Sequence, residues 1–287
     1  MIKVEIDPKA GFCGGVIRAI GQAEKFLSSH KDAHLYSLGE IVHNESEIER
    51  LSKMGLVALD AEDLNDIEDA AGECILIRAH GQPPKTYDTL RYLGFQIIDC
   101  TCPVVLGIQR KIKEARSNII IFGKKGHPEV MGLVGQVNED RVRVIENYDD
   151  AVELLEKEPD LREAEVFSQT TMSPVEYDKV CELLKEKLHK IKVHKTICKQ
   201  VASRHKELEE FAREHDINIF VSGKSSSNGK VLSAVCKKAN IRSYQVGGIN
   251  EIQPVWFRPE DRVGVSGATS TPRWLLEEVA DYISKLQ

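Results

Sequence analysis

Apolar and polar positions follow two rhythms along this chain. Short runs of aliphatic and β-branched residues end in small polar residues or histidine. Between them lie longer stretches with apolar residues at helical spacing. Strand-like runs alternating with amphipathic segments predict α/β architecture with small, mostly parallel sheets.

The alternation recurs in three blocks, each opened by a cysteine. The first carries an N-terminal strand, Ile2–Ile6, and the turn Ala10-Gly11-Phe12-Cys13-Gly14-Gly15. A helix follows, with Val16, Ile17, Ile20, Ala23 and Phe26 on one face. Its two strand-to-loop runs end at Ile41-Val42-His43-Asn44 and Ala79-His80-Gly81. The second block opens at Cys102-Pro103, where proline favours the first helical position. Its runs end at Gly126-His127-Pro128-Glu129 and Gln169-Thr170-Thr171. The third opens at Cys198, with a helix over roughly 200–214 and runs ending at Ser226-Ser227-Asn228 and Thr269-Ser270-Thr271-Pro272. We expect three similar α/β units, residues 1–101, 102–197 and 198–287; if their sheets meet around one axis, three cysteines and six loops face one cavity. Loops beyond the carboxyl ends of parallel strands are where ligands bind.

Composition narrows the function. The chain has 287 residues, 41% hydrophobic and 29% charged, an ordinary globular balance. A net charge of −6 without a basic stripe excludes general nucleic-acid binding. No apolar run is long enough to span a bilayer. The N-terminus lacks a signal-peptide layout, so a cytoplasmic location without membrane contact is expected.

Seven cysteines in such a chain point to metal or redox chemistry rather than disulfides. Cys74, Cys181 and Cys236 read as small buried hydrophobes. Cys13 sits among glycines, and Cys102 and Cys198 at helix starts, where the helix dipole favours a thiolate. Cys100 reads as a neighbour of Cys102. The local CxxC pairs of a structural zinc site are missing. Dispersed thiols suit a pre-folded pocket, and a [4Fe–4S] cluster on three of them leaves one iron open.

The loops suggest an anion. His43, His80 and His127 occupy matching strand ends, while His30, His34, His189, His194, His205 and His215 read as solvated surface. Ser226, Ser227, Asn228 and Ser270 offer neutral donors before helix starts, suited to phosphate. Lys124, Lys125 and Lys224 flank these loops. Glu129 is a candidate proton donor, and the Thr170 hydroxyl a candidate relay.

These motifs, with Thr101-Cys102-Pro103, Val130 and Thr196-Ile197-Cys198, resemble in one order the 4-hydroxy-3-methylbut-2-enyl diphosphate reductase family. The resemblance covers about residues 5–285. It implies an iron–sulfur enzyme that removes the allylic hydroxyl of its substrate, giving isopentenyl and dimethylallyl diphosphates. It also implies a trefoil of three α/β units around the cluster. By resemblance, Cys13, Cys102 and Cys198 hold one [4Fe–4S] cluster with one open iron. His43, His80, His127, Thr170, Ser226, Ser227, Asn228 and Ser270 bind substrate, and Glu129 donates a proton. The implied partner is an electron donor such as ferredoxin or flavodoxin. Two departures stand out. Cys100 replaces the family's usual alanine, and the stretch 199–202 lacks its usual threonine. A non-catalytic iron–sulfur carrier and a hydro-lyase are the alternatives. A carrier needs neither Glu129 nor phosphate loops, and a hydro-lyase consumes no reductant.

Overall fold

A computed structural model describes residues 2–30 and 33–286. Among these, the chain forms twelve strands and ten α-helices. Strand β1 (Lys3–Ile6) leads into α1 (Gly14–Ser29), β2 (Leu35–Leu38), α2 (Glu45–Lys53), β3 (Leu56–Leu59), β4 (Cys74–Ile77), α3 (Pro84–Tyr92) and β5 (Gln96–Asp99). The order then recurs as α4 (Pro103–Glu114), β6 (Asn118–Phe122), α5 (Pro128–Val134), β7 (Val142–Ile145), α6 (Tyr148–Lys157), β8 (Glu163–Ser168), α7 (Pro174–Lys187) and β9 (Lys190–Val193). It closes with α8 (Lys199–Glu214), β10 (Ile217–Val221), α9 (Ser227–Ala239), β11 (Ser243–Val246), β12 (Arg262–Gly267) and α10 (Arg273–Ser284).

The strands make three small parallel sheets of four, as the alternation predicts. Their inner strands are mostly buried, because helices cover both faces. Ile75, Leu76 and Ile77 of β4 are fully buried, as are Ile119–Ile121 of β6 and Ile219 and Val221 of β10. Burying each such side chain contributes roughly 1.5–3 kcal/mol.

The strand before each cysteine pairs with the second inner strand of the preceding block. Thus β5 pairs with β4 before Cys102, and β9 pairs with β8 before Cys198. Strand β1 obeys the same rule before Cys13, but its partner is β12, at the other end of the chain. Order along the sequence had grouped β1 with the first block. Its pairing puts it in the sheet of β10, β11 and β12 instead.

The chain folds into two compact units. One comprises Met1–Leu59 with Ala202–Gln287, the other Asp60–Val201. In the first, Ile217, Ile219, Val263 and Val265 pack against Leu275, Leu276 and Val279 of α10. In the second, Ile120, Phe122 and Val166 pack against Val180 and Leu184 of α7. No described helix is long and apolar enough to cross a membrane.

Candidate active site

In the unit Asp60–Val201 lie six of the expected residues, five in loops at strand ends and Glu129 at the start of a helix. His80 follows β4 in a turn closed by Gly81, whose φ is +71°. A Cβ on Gly81 would lie 2.7 Å from Gln109 Nε2 and 2.9 Å from Thr101 Cγ2, so conformation and space both require glycine. Cys102 sits at the N-cap of α4, and its N–H donates to the Ala79 carbonyl at 3.0 Å. The Cys102 backbone is thereby held beside the residue preceding His80. His127 caps α5, its Nδ1 accepting the Glu129 N–H at 3.1 Å. The His80 and His127 rings meet edge to face, with centroids 5.2 Å apart.

Glu129 lies in the first turn of α5 and is 2% exposed. Its carboxylate oxygens each accept from Thr170, one from the N–H at 2.7 Å and one from the hydroxyl at 2.7 Å. Burial pushes this carboxyl up to about 7, while the two Thr170 bonds pull it down. Thr170 lies beyond β8, and its carbonyl accepts the N–H of Cys198 at 2.9 Å. One residue therefore holds both the acid and the third cysteine loop.

The remaining six lie in the other unit. Cys13 precedes α1 and donates its N–H to the Thr269 carbonyl at 3.1 Å. Gly11, at φ +118°, turns the chain into this loop. His43 stands just before Asn44, which caps α2 by accepting the Glu47 N–H. A Cβ on Gly223 would fall 2.4 Å from the His43 carbonyl oxygen, so the His43 loop and the loop after β10 touch through bare backbone. Ser226 caps α9 and its hydroxyl lies 3.2 Å from that of Ser270. Asn228 donates its Nδ2 to Thr269 Oγ1. Ser227 opens α9, and its side chain lies outside the described residues. Ser226, Ser270 and Asn228 are buried, which gives an enclosed cluster of neutral donors at a helix N-terminus.

The thiols separate into two classes. Cys181 and Cys236 are buried, and burial raises both, Cys181 to about 11. Such thiols are inert. Cys100 is fully buried directly after β5. Cys74, expected to be buried, is instead half-buried, with its thiol turned to Gln96 Oε1. Cys13, Cys102 and Cys198 are each partly accessible and each precede a helix start. Among the described residues no cysteine is in a disulfide. Three reachable thiols at positive helix ends fit a thiolate-bound cluster.

Other expectations change. His215 is buried against Phe211. His194 stacks on Phe167 and bonds Glu165 at 2.7 Å, and His205 is half-buried. All three had read as solvated surface, because sequence does not show which helix or strand face is covered. Lys125 and Lys224 pair with Asp150 and Glu251 rather than facing an anion. Sequence reasoning missed Thr269, which follows Gly267-Ala268 and precedes Ser270; that run of small residues was the signal of a crowded loop.

The LytB protein family model matches residues 4–284. The chain belongs to the LytB family. It is 44% identical to the 4-hydroxy-3-methylbut-2-enyl diphosphate reductase of Bacteroides thetaiotaomicron, covering 100% of this chain and 99% of that one. It is 45% identical to the same-named protein of Parabacteroides distasonis, over 100% of this chain and 99% of the relative. A solved (E)-4-hydroxy-3-methyl-but-2-enyl diphosphate reductase, described as the terminal enzyme of the non-mevalonate pathway, superposes with a TM-score of 0.74 at 32% identity. That match covers 99% of this LytB chain and 100% of the other. The corresponding reductase of Plasmodium falciparum superposes at 0.85 with 26% identity, over 99% and 88% of the two chains.

Proposed function

We propose that this chain reduces 4-hydroxy-3-methylbut-2-enyl diphosphate to isopentenyl and dimethylallyl diphosphates, the last step of the non-mevalonate route to isoprenoids. The carrying observation is Glu129, a buried carboxyl at about 7 gripped by Thr170, in a chain 44% identical over its whole length to a named reductase. In this reading Cys13, Cys102 and Cys198 would hold a [4Fe–4S] cluster, which would pass electrons one at a time from an external donor and offer a Lewis-acid position. Each of the three proposed units contributes one of these cysteines.

The protein's own residues do the rest. Ser226, Ser227, Asn228 and Ser270, with His43, His80 and His127, hold the diphosphate among neutral donors. That binding presents the carbon chain in one orientation. Glu129 is poised to carry a proton near neutral pH, since its carboxyl is half protonated at about 7. Thr170 orients that carboxyl and contacts the substrate hydroxyl. The C–O bond breaks as two electrons arrive, and the hydroxyl leaves as water with the proton passed from Glu129. A second proton adds at either end of the allylic fragment, which accounts for two products. The cytoplasmic location and a small ferredoxin- or flavodoxin-type electron donor belong to the same reading.

The test is an anaerobic assay with the allylic diphosphate and reduced viologen. We expect substrate-dependent oxidation of the viologen and both diphosphate products. Glu129→Gln is expected to keep its iron and lower turnover by about 10²–10⁴-fold. A hydro-lyase would consume no viologen, and a carrier would be indifferent to Glu129→Gln.

A further inference from the structure

Thr269 lies between the thiol loop and the proposed diphosphate loop and touches both. Its carbonyl accepts the Cys13 N–H at 3.1 Å, and its hydroxyl accepts a bond from Asn228 Nδ2. Asn228 is only 6% exposed, and its other amide atom, Oδ1, is buried without a hydrogen-bond partner. A buried acceptor left unpaired is unfavourable. It also has the wrong polarity, because a diphosphate is met by donors. A half-turn of the amide solves both problems. The amide N–H₂ then occupies the unpaired position, and Oδ1 faces Thr269. Only a hydroxyl serves both arrangements, because it accepts from Nδ2 in one and donates to Oδ1 in the other. The Ser226 and Ser270 hydroxyls, on residues two before Asn228 and one after Thr269, lie 3.2 Å apart, so the turned amide adds a donor beside an existing pair.

We propose that Thr269 sets which end of the Asn228 amide faces the bound diphosphate, acting as a positioning residue for substrate. In the bound state Thr269 donates to Asn228 Oδ1 and Asn228 Nδ2 donates to a phosphate oxygen. The inference rests on the function proposed above and adds to it a residue that contacts Asn228 rather than substrate. Valine at this position keeps the branched shape but cannot donate. Serine keeps the hydroxyl.

The experiment compares the anaerobic holoenzyme with Thr269→Val and Thr269→Ser. Affinity for inorganic pyrophosphate is read by calorimetry, and KM and kcat by turnover of the allylic diphosphate. Iron content is measured alongside. We expect Thr269→Val to bind pyrophosphate about tenfold more weakly, the effect of one hydrogen bond. KM should rise by a similar factor, with kcat and iron content nearly unchanged. Thr269→Ser should restore both affinities. Wild-type pyrophosphate affinity in Thr269→Val overturns the proposal, as does equal weakening in Thr269→Ser. A purely structural role would instead lower iron content or thermal stability and leave the split between KM and kcat unmoved, which also overturns it. Failure of the wild type to turn over the allylic diphosphate would remove the parent reading. That result is distinct from an active enzyme indifferent to Thr269→Val.

Discussion

At the scale of single residues, Glu129 governs how this protein should respond to pH. Its carboxyl stands at about 7 in the fold against 4.5 in an exposed chain, because burial disfavours the charged form. The folded chain therefore binds this proton more tightly than the unfolded one. The associated stability is full below about 4.5 and is lost as pH rises through about 7. The loss amounts to about 3 kcal/mol, at 1.36 kcal/mol per unit. Thermal melts from pH 5 to 9 should show wild type falling over this range and Glu129→Gln falling less. Activity should likewise decline as pH rises through about 7, because the protonated acid is the competent donor. Thr170 pulls this carboxyl down, so Thr170→Val should move the alkaline limb to higher pH while lowering the maximum rate. A pH–rate profile of the two proteins checks this. The sequence placed Glu129 two residues after His127 at the end of a strand-like run and marked it as a candidate proton donor. It did not show that the carboxyl is buried, or that its partner lies on another strand's loop, 41 residues away.

At the scale of elements, the short loops after the parallel strands are held by close backbone approach and by buried ion pairing. Gly81→Ala should cost about 1–3 kcal/mol, because alanine must adopt φ +71° and displace Gln109 and Thr101. Weaker substrate binding should follow, since His80 moves with the turn. Denaturant unfolding and a KM measurement test the pair of effects. A second joint is Arg204 on α8, which bonds Asp7 beyond β1 and lies 2.8 Å from Ser266 on β12. Ser266 in turn donates to Asp7 at 2.9 Å. All three are buried, so Arg204→Met leaves an uncompensated carboxylate and should destabilise by about 3–5 kcal/mol in urea unfolding. The inner strands were legible because burial on both faces writes continuous apolar runs. Strands β5 and β9 were quieter. They lie at sheet edges, have exposed positions at Gln96, Asp99, Lys190 and Lys192, and give only short patterns.

At the scale of the molecule, the three cysteines open equivalent helices in a threefold series of strands and helices. Anaerobically purified protein should be brown with about four irons per chain, as one cubane cluster implies. Replacing Cys13, Cys102 or Cys198 by serine should remove most of the iron and colour. Cys100→Ala should retain both, because that thiol is fully buried whereas the other three are partly accessible. Iron analysis and visible absorption decide the comparison. The order of elements, the three cysteine positions and the polar ends of the inner strands were determined by the sequence alone. Each rests on periodicity or on chemistry between near neighbours, which the chain carries within a few residues. Tertiary structure alone decided that β1 joins the sheet of β12, that Thr170 grips Glu129, and that Thr269 meets both Cys13 and Asn228. Parallel strands place loops from distant stretches side by side at their carboxyl ends, so these partnerships depend on strand register and packing, which no local pattern encodes.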